Sequence, residues 1–325
     1  MTGKKKNIVI VGGTNIDDVI ILDGAMPQDA KVSPAYSNKS LGGGGANSAL
    51  ALRILGRIFE QDDDLTLITK IGHGKENQFV SDVLNHGENI TTIDAIKGQY
   101  AEVPHNTVIS HTGGRAIFRR AEFNYAALAI EEDKELEIEK AVKDADLVLI
   151  QTKHPDIALM AAQKADAYNV PAVVDFSNKE CPDILLAYCT FALIPAEFRF
   201  TAMPENSSDH DLLEYAGKHI PYAAISDASK DTRRAWNGHE ARIPSLQVNT
   251  RDSLGAGDLR DAAFMYFLAR ENEPDEALHK ANIIASLSCE YYGREWEHDL
   301  TARLKGFAIF DNDFPDAVPV AAPAP

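Results

Sequence analysis

The chain has only three cysteines in 325 residues, Cys181, Cys189 and Cys289. They form no C-x-x-C pair, and three cannot all pair within one chain, so a disulfide framework is excluded and reduced structural thiols are expected. Long apolar runs are missing too. After Lys4, Lys5 and Lys6 comes only the short run Ile8 to Val11, too brief for a signal-peptide core or a membrane span, and the expected setting is the cytoplasm. Positive charge is also scarce: 32 Lys and Arg stand against 49 Asp and Glu, a formal net charge of -17. That balance argues against general nucleic-acid binding, and any phosphate-bearing ligand has to be drawn in by local cations against an unfavourable field. The lysine run reads as a solvated terminus, and the closing PDAVPVAAPAP as a disordered tail. What is present is a chain with 45% hydrophobic residues, enough to bury a full core, and no internal repeat or linker divides it.

Residues 249–267 read NTRDSLGAGDLRDAAFMYF. Gly255, Ala256 and Gly257 let backbone N–H groups approach a ligand closely, and Leu259, Ala262, Ala263, Phe264 and Phe267 have helical spacing. A glycine turn opening a helix presents unpaired N–H groups and the positive end of the helix dipole, which favour an anion such as a phosphate. Asp258 at that start is placed to act as general base for a hydroxyl attacking a phosphoryl group, although a helix cap after a flexible turn accounts for the same residues.

The pattern DSLGAGD followed by a helix resembles the second signature of the PfkB (ribokinase-like) family of carbohydrate and nucleoside kinases, DTxGAGD followed by a small residue and Phe. Here Leu259 and Arg260 occupy the last two positions. Upstream, the strand from Ile8 to Val11 ends in Gly12-Gly13 and is followed by Asn15 and Asp17, beyond a strand end where ligands gather in open parallel sheets. Locally, turn chemistry explains them equally well. The family has Asn-x-Asp there, and the resemblance implies that Asp17 takes sugar hydroxyls. LGGGGANSALALRILG resembles the first signature, GGKGANxA: it implies substrate contacts from Gly42, Gly43 and Asn47 at the head of a helix that Gly56 is expected to stop, while four glycines also fit a hinge.

Strand and helix alternate through the rest of the chain, so the expected fold is a doubly wound, mainly parallel α/β sheet with helices on both faces. Asp62, Asp63 and Asp64 read as a solvated loop before the strand Leu65 to Ile71. β-type residues flank Gly113-Gly114 from Asn106 to Arg120, which reads as a hairpin. With it, a small β lid is expected from parts of 14–40 and 98–120. The whole forms one ribokinase-like domain over 1–312, with a disordered tail over 313–325. Arg115, Arg119 or Arg120 could clamp a phosphoryl group, and Asn124 lies where the family has an Asn. Helices are expected over 157–168, 182–188, 209–219 and 275–291, and Asn237-Gly238 marks a second hairpin.

The resemblance implies ATP with Mg²⁺, nucleotide contacts from Ser226 and Asn282, and a possible homodimer through the lid. It also marks departures. Ala196 and Arg199 replace the Asn and Glu of the family's Asn-x-x-Glu, with Glu197 a possible substitute, and Ala228 and Asp231 stand where TxGxxG has glycines. Lys153 stands where sugar kinases of the family often have Glu, which suggests an anionic substrate. His73 is given no role. Three readings follow: an ATP-dependent sugar kinase with Asp258 as base, a nucleoside kinase of the same family, or a kinase-derived protein that binds a ligand or partner without turnover.

Overall fold

The computed structural model describes residues 4–26, 28–29, 31–112, 114–119, 125–176, 183–204, 206–293, 296–306 and 318–319. In the first strand, β1 (Asn7–Val11), Ile8 and Ile10 belong to one core cluster and Val9 and Val11 to another. Alternating side chains that are apolar on both faces require cover on both, and this sets the layering. Next come β2 (Asn15–Ile21) and β3 (Tyr36–Gly42), then α1 (Gly44–Ile58), β4 (Asp64–Thr69), the short α2 (Asn77–Ser81) and β5 (Thr91–Asp94). A hairpin of β6 (His105–His111) and β7 (Gly114–Arg119) interrupts the series. The alternating run then comprises α3 (Glu132–Lys143), β8 (Leu147–Gln151), α4 (Pro155–Ala167), β9 (Ala172–Asp175), β10 (Phe191–Pro195), α5 (Asp209–Gly217) and β11 (Tyr222–Ser226). The chain closes with the hairpin β12 (Thr232–Trp236) and β13 (His239–Ile243), the helices α6 (Ala256–Leu268), α7 (Pro274–Ser288) and α8 (Trp296–Gly306), and a two-residue strand β14 (Val318–Pro319).

Ten strands form the large sheet in the order β14-β13-β12-β11-β10-β9-β8-β1-β4-β5. Pairing is parallel from β11 to β5 and antiparallel from β11 to β14. The strand order reverses direction at β1, so the carboxyl ends of β1 and β8 flank a topological switch point, the place where such sheets bind ligands. α1 and α6 to α8 cover one face around Leu50, Leu55, Phe264 and Leu300, while α3 to α5 cover the other around Ile138, Ala161 and Leu212. The small sheet has the order β3-β2-β6-β7, and β2 pairs with β6 in parallel. These strands fall within or close to the expected lid segments.

Several expectations are corrected. Gly56 does not end α1, which runs to Ile58; instead Gly56 gives the chain leaving the helix room to fold back, since a Cβ there would come within 2.8 Å of the Gln61 carbonyl. Asp63 is buried rather than solvated: it accepts hydrogen bonds from the Lys6 backbone N–H (3.0 Å) and from Arg270 (2.8 Å). The helix expected over 182–188 is a 3₁₀ turn, Asp183–Tyr188. Of the tail expected to be disordered, Val318 and Pro319 pair with Arg242 and Ala241. Gly113, Arg120, Asn124, Cys181 and Pro182 lie outside the described residues. Cys189 and Cys289 form no disulfide among the described residues. The Asn237-Gly238 turn has φ of 48° and 80°, the doubly left-handed geometry of a tight hairpin.

Phe264 is fully buried and its ring packs on Phe191 and Tyr222, at 5.8 and 6.1 Å between centroids. Phe264→Ala should therefore destabilise the fold by roughly 3–5 kcal/mol. Urea unfolding followed by circular dichroism measures it, and a loss under about 1 kcal/mol would contradict this packing.

Candidate active site

α6 starts at Gly255, whose left-handed φ of 77° turns the chain into the helix with no side-chain cap. The Ala256 N–H turns back to the Ser253 carbonyl at 3.3 Å, while those of Gly257 and Asp258 have no backbone acceptor among the described residues, and a Cβ placed on Gly257 would meet nothing within 4 Å. Open space lies where an anion would sit.

Asp258, in the first turn, is half-buried and heavily bonded. Asn47 Nδ2 donates to its Oδ2 at 2.7 Å and Gln151 Nε2 to its Oδ1 at 3.4 Å, while Ser48 Oγ donates to its backbone carbonyl at 3.1 Å. Gln151 Nε2 also donates to Ser48 Oγ at 3.2 Å. Gln151 ends β8, Asn47 and Ser48 open α1, and so three segments distant in sequence converge on one carboxylate. Burial pushes the Asp258 carboxyl up to about 6; the Asn47 bond opposes the rise and the Asp261 charge adds to it. A carboxylate tuned in this way remains mostly ionised at neutral pH and is a better proton acceptor than an ordinary one.

The glycines before α1 are close-approach residues rather than a hinge. A Cβ on Gly42 would overlap the Asp17 carboxylate, and on Gly44 it would come within 2.5 Å of Gln151 Oε1. On Gly45 it would come within 2.7 Å of the Gly12 carbonyl carbon. Gly43, with φ 84°, packs under Asn15 and the Gly13 carbonyl. Asn15 and Asp17 lie on the lid strand β2, not in a turn. Asp17 Oδ1 accepts from Asn15 Nδ2 (2.6 Å) and from Asn106 Nδ2 (2.8 Å), its register partner on β6. Burial raises its carboxyl, and these two bonds partly offset the rise.

Asn15, Asp17, Gly43, Asn47, Gly255 and Asp258 line one cavity of about 480 Å³ between the lid and the starts of α1 and α6. Ala256 and Gly257 sit at the helix start beside it, and Gly42 lies beneath Asp17. Arg119 lines the cavity from β7, whereas Arg115 is exposed outside it. Sequence reasoning missed Gln151, Ser48 and Asn106. A polar residue closing a buried strand was the available signal for Gln151. Lys153 is exposed, its stem packs over Gly13, and it does not line the cavity. His73 stacks edge-on against Tyr100, away from the cavity.

The expected nucleotide residues lie apart from this cavity. Ser226 ends β11, beside a second cavity of about 470 Å³ lined by Ser229, Lys230, Arg233 and Arg242 among others. Ala228 takes the left-handed φ of 47°, and Asp231 accepts from the Ser245 N–H at 3.2 Å, so this loop is tied to the strand-like segment after β13. Asn282 is buried, with its amide committed to Thr232 Oγ1 (3.1 Å) and the Pro244 carbonyl (3.3 Å); it ties α7 to the hairpin.

Residues 5–295 match the family model described as pfkB family carbohydrate kinase. The chain belongs to this family. It is 24% identical over 302 residues to the ribokinase of Bacillus subtilis, covering 89% of this chain and 95% of that one. It is 27% identical over 296 residues to a bifunctional ribokinase/ribose-5-phosphate isomerase A of Fructilactobacillus sanfranciscensis, covering 86% of this chain but only 51% of that longer protein. Arabidopsis thaliana ribokinase complexed with ribose and ATP superposes with a TM-score of 0.70 at 18% identity, covering 93% and 99% of the two chains.

In this pfkB family chain the residues at the expected metal support do not fit a magnesium ion. Ala196 has no ligand atom, and the Arg199 guanidinium is bonded to the carbonyls of Ala196, Phe198 and Ser207 and to Asp209. Glu197 is exposed, and no group of three acidic, His or Cys side chains gathers for a metal among the described residues. For the anionic part of a nucleotide, the open N–H groups at α6 do fit. No described helix is long and apolar enough to cross a membrane.

The shift at Asp258, from 3.8 to about 6, also has a stability consequence. A raised folded-state value means that this group's favourable contribution is full below about pH 4 and is lost as pH rises through about 6. Asp258→Asn should therefore stabilise the protein at pH 7.5, by at most about 3 kcal/mol, with the gain vanishing towards pH 4. Unfolding curves across pH measure it, and a gain independent of pH would refute the assignment.

Proposed function

We propose that the chain transfers the γ-phosphoryl group of ATP to a hydroxyl of a small sugar or sugar derivative, with Asp258 as general base. The observation that carries this reading is the gathering of Asp17, Asn15, Asn47 and Asp258 in one cavity beside the uncapped start of α6. Asp17 and the two carboxamides would hold sugar hydroxyls, since together they donate and accept. The attacking hydroxyl gives its proton to Asp258, its oxygen bonds to the γ-phosphorus, and the bond to the bridging oxygen breaks so that ADP leaves. N–H groups from Gly255 to Gly257 stabilise the charge on the transferred group, that of Ala256 by exchanging its bond to the Ser253 carbonyl, and the lid keeps water from competing as acceptor. A second copy could pair through the lid, where Phe118 on β7 is 56% exposed on the face opposite the cavity-lining Ile117.

One observation favours a nucleoside as acceptor instead. The lining of the cavity also includes the apolar side chains of Ala51, Ile54, Leu254 and Trp296, against which a base could pack. The departures at Ala196, Arg199, Ala228 and Asp231 support the third reading, binding without turnover.

Nucleotide consumption by the wild type and Asp258→Asn, assayed with sugars, sugar acids and nucleosides, separates the three. Turnover should fall about a hundredfold to ten-thousandfold in the variant with little change in nucleotide affinity. In the wild type, kcat/KM should decline as pH falls through about 6, where Asp258 takes up its proton. Equal activity in both proteins removes Asp258 from the mechanism. Absence of turnover in both, with ligand binding retained, establishes the binding protein.

A further inference from the structure

Arg260 stands two residues past Asp258, where the family signature carries Phe. Its side chain is 11% exposed and its partner Asp261 is 2% exposed. Nε and Nη2 both donate to Asp261 Oδ1, at 3.1 and 2.8 Å. This uses one edge of the guanidinium fork, and Nη1 has no hydrogen-bond partner among the described residues. Burying an ion pair strips both ions of water before attraction offsets the loss, so an aromatic ring here would cost less for folding alone.

The direction of the side chain follows from its helix. Asp258 faces α1 and β8 through Asn47 and Gln151. Phe264, one turn after Arg260 on the same face, packs on Phe191 of β10 and Tyr222 of β11. Arg260 therefore looks towards the β9 to β11 side, one turn nearer the open start of α6. Asp175, the last residue of β9, and Asp258 both contribute to the field at its guanidinium. So Arg260 lies outside the cavity lined by Asn15, Asp17 and Asn47, near three carboxylates that would otherwise repel a polyphosphate.

We infer that Arg260 binds oxygens of the outer phosphates, β or γ, of the nucleotide donor through the Nη1 edge that no described residue occupies, held in place by the buried Asp261. The inference rests on the kinase reading above and adds to it a residue that the family signature does not supply. Asp261 is the positioning residue: two bonds to one carboxylate oxygen fix the plane of the fork so that its remaining edge is pre-oriented.

The test is calorimetric binding of adenosine, AMP, ADP and the non-hydrolysable analogue AMP-PNP to the wild type, Arg260→Gln and Arg260→Lys. A lost charge-assisted hydrogen bond predicts about 10- to 100-fold weaker binding of ADP or AMP-PNP to Arg260→Gln. Adenosine and AMP should bind as to the wild type, and Lys should restore part of the loss. If Arg260→Gln does not fold with Asp261 left unpaired, Arg260→Gln/Asp261→Asn removes both charges and carries the same expectation. Equal weakening of all four ligands, or no weakening of any, overturns the inference. Failure of the kinase reading is seen separately, as a wild type that binds AMP-PNP no more tightly than adenosine; the inference then falls with it.

Discussion

The hydrogen bond from Asn47 to Asp258 joins residues 211 apart in sequence, and the candidate site depends on it. It fixes the start of α1 against the start of α6, and Gln151 adds the end of β8. Such closeness is possible only because residues 42–45 carry no side chains: a Cβ at any of them would strike the β1 turn, Asn15, Asp17 or Gln151. The glycines permit the approach and the polar side chains hold it. Gln151 Oε1 remains buried without a partner among the described residues, an unmet cost at the centre of the convergence.

Electrostatics set the character of the site. A chain with net charge -17 gathers Asp17, Asp175, Asp258 and Asp261 around the start of α6 and the cavity beside it. Burial of Asp17 and Asp258 makes their ionised forms costly and raises the proton affinity of both carboxylates. At Asp258 the ionised form therefore lowers stability at neutral pH. Arg260 places a cation within this group, and Asp261 fixes its orientation.

The lid is anchored by polar contacts as well as by strand pairing. His105 of β6 sits between two carboxylates, with Nε2 2.8 Å from Asp18 and Nδ1 2.9 Å from Glu76. Glu76, just before α2, also accepts from Lys39 of β3 at 3.3 Å, so two lid strands are tied to the body beside the cavity. A small apolar cluster of Val19, Ile21 and Val108, with Tyr36, Leu254 and Tyr292 against it, joins the lid to the loop that leads into α6.

Features written in a few adjacent residues were legible in the sequence. The Gly255 turn with its helix, the Asn237-Gly238 hairpin, the buried first strand and the alternation that implies a doubly wound sheet each depend on local propensity and periodicity. The motif positions Asn15, Asp17, Asn47 and Asp258 were named from short patterns, and the structure brings them into one cavity. Only the tertiary structure decided where individual side chains at element ends point. Asp63 is buried because Arg270, 207 residues away, reaches it; Asn282 is turned inwards by Thr232 and Pro244; Lys153 lies over Gly13 instead of in the cavity. Gln151 and Asn106 acquire meaning from partners on other strands and helices. The physical reason is that backbone pattern is a local property, whereas the burial and bonding of a polar side chain depend on which distant segments fold against it.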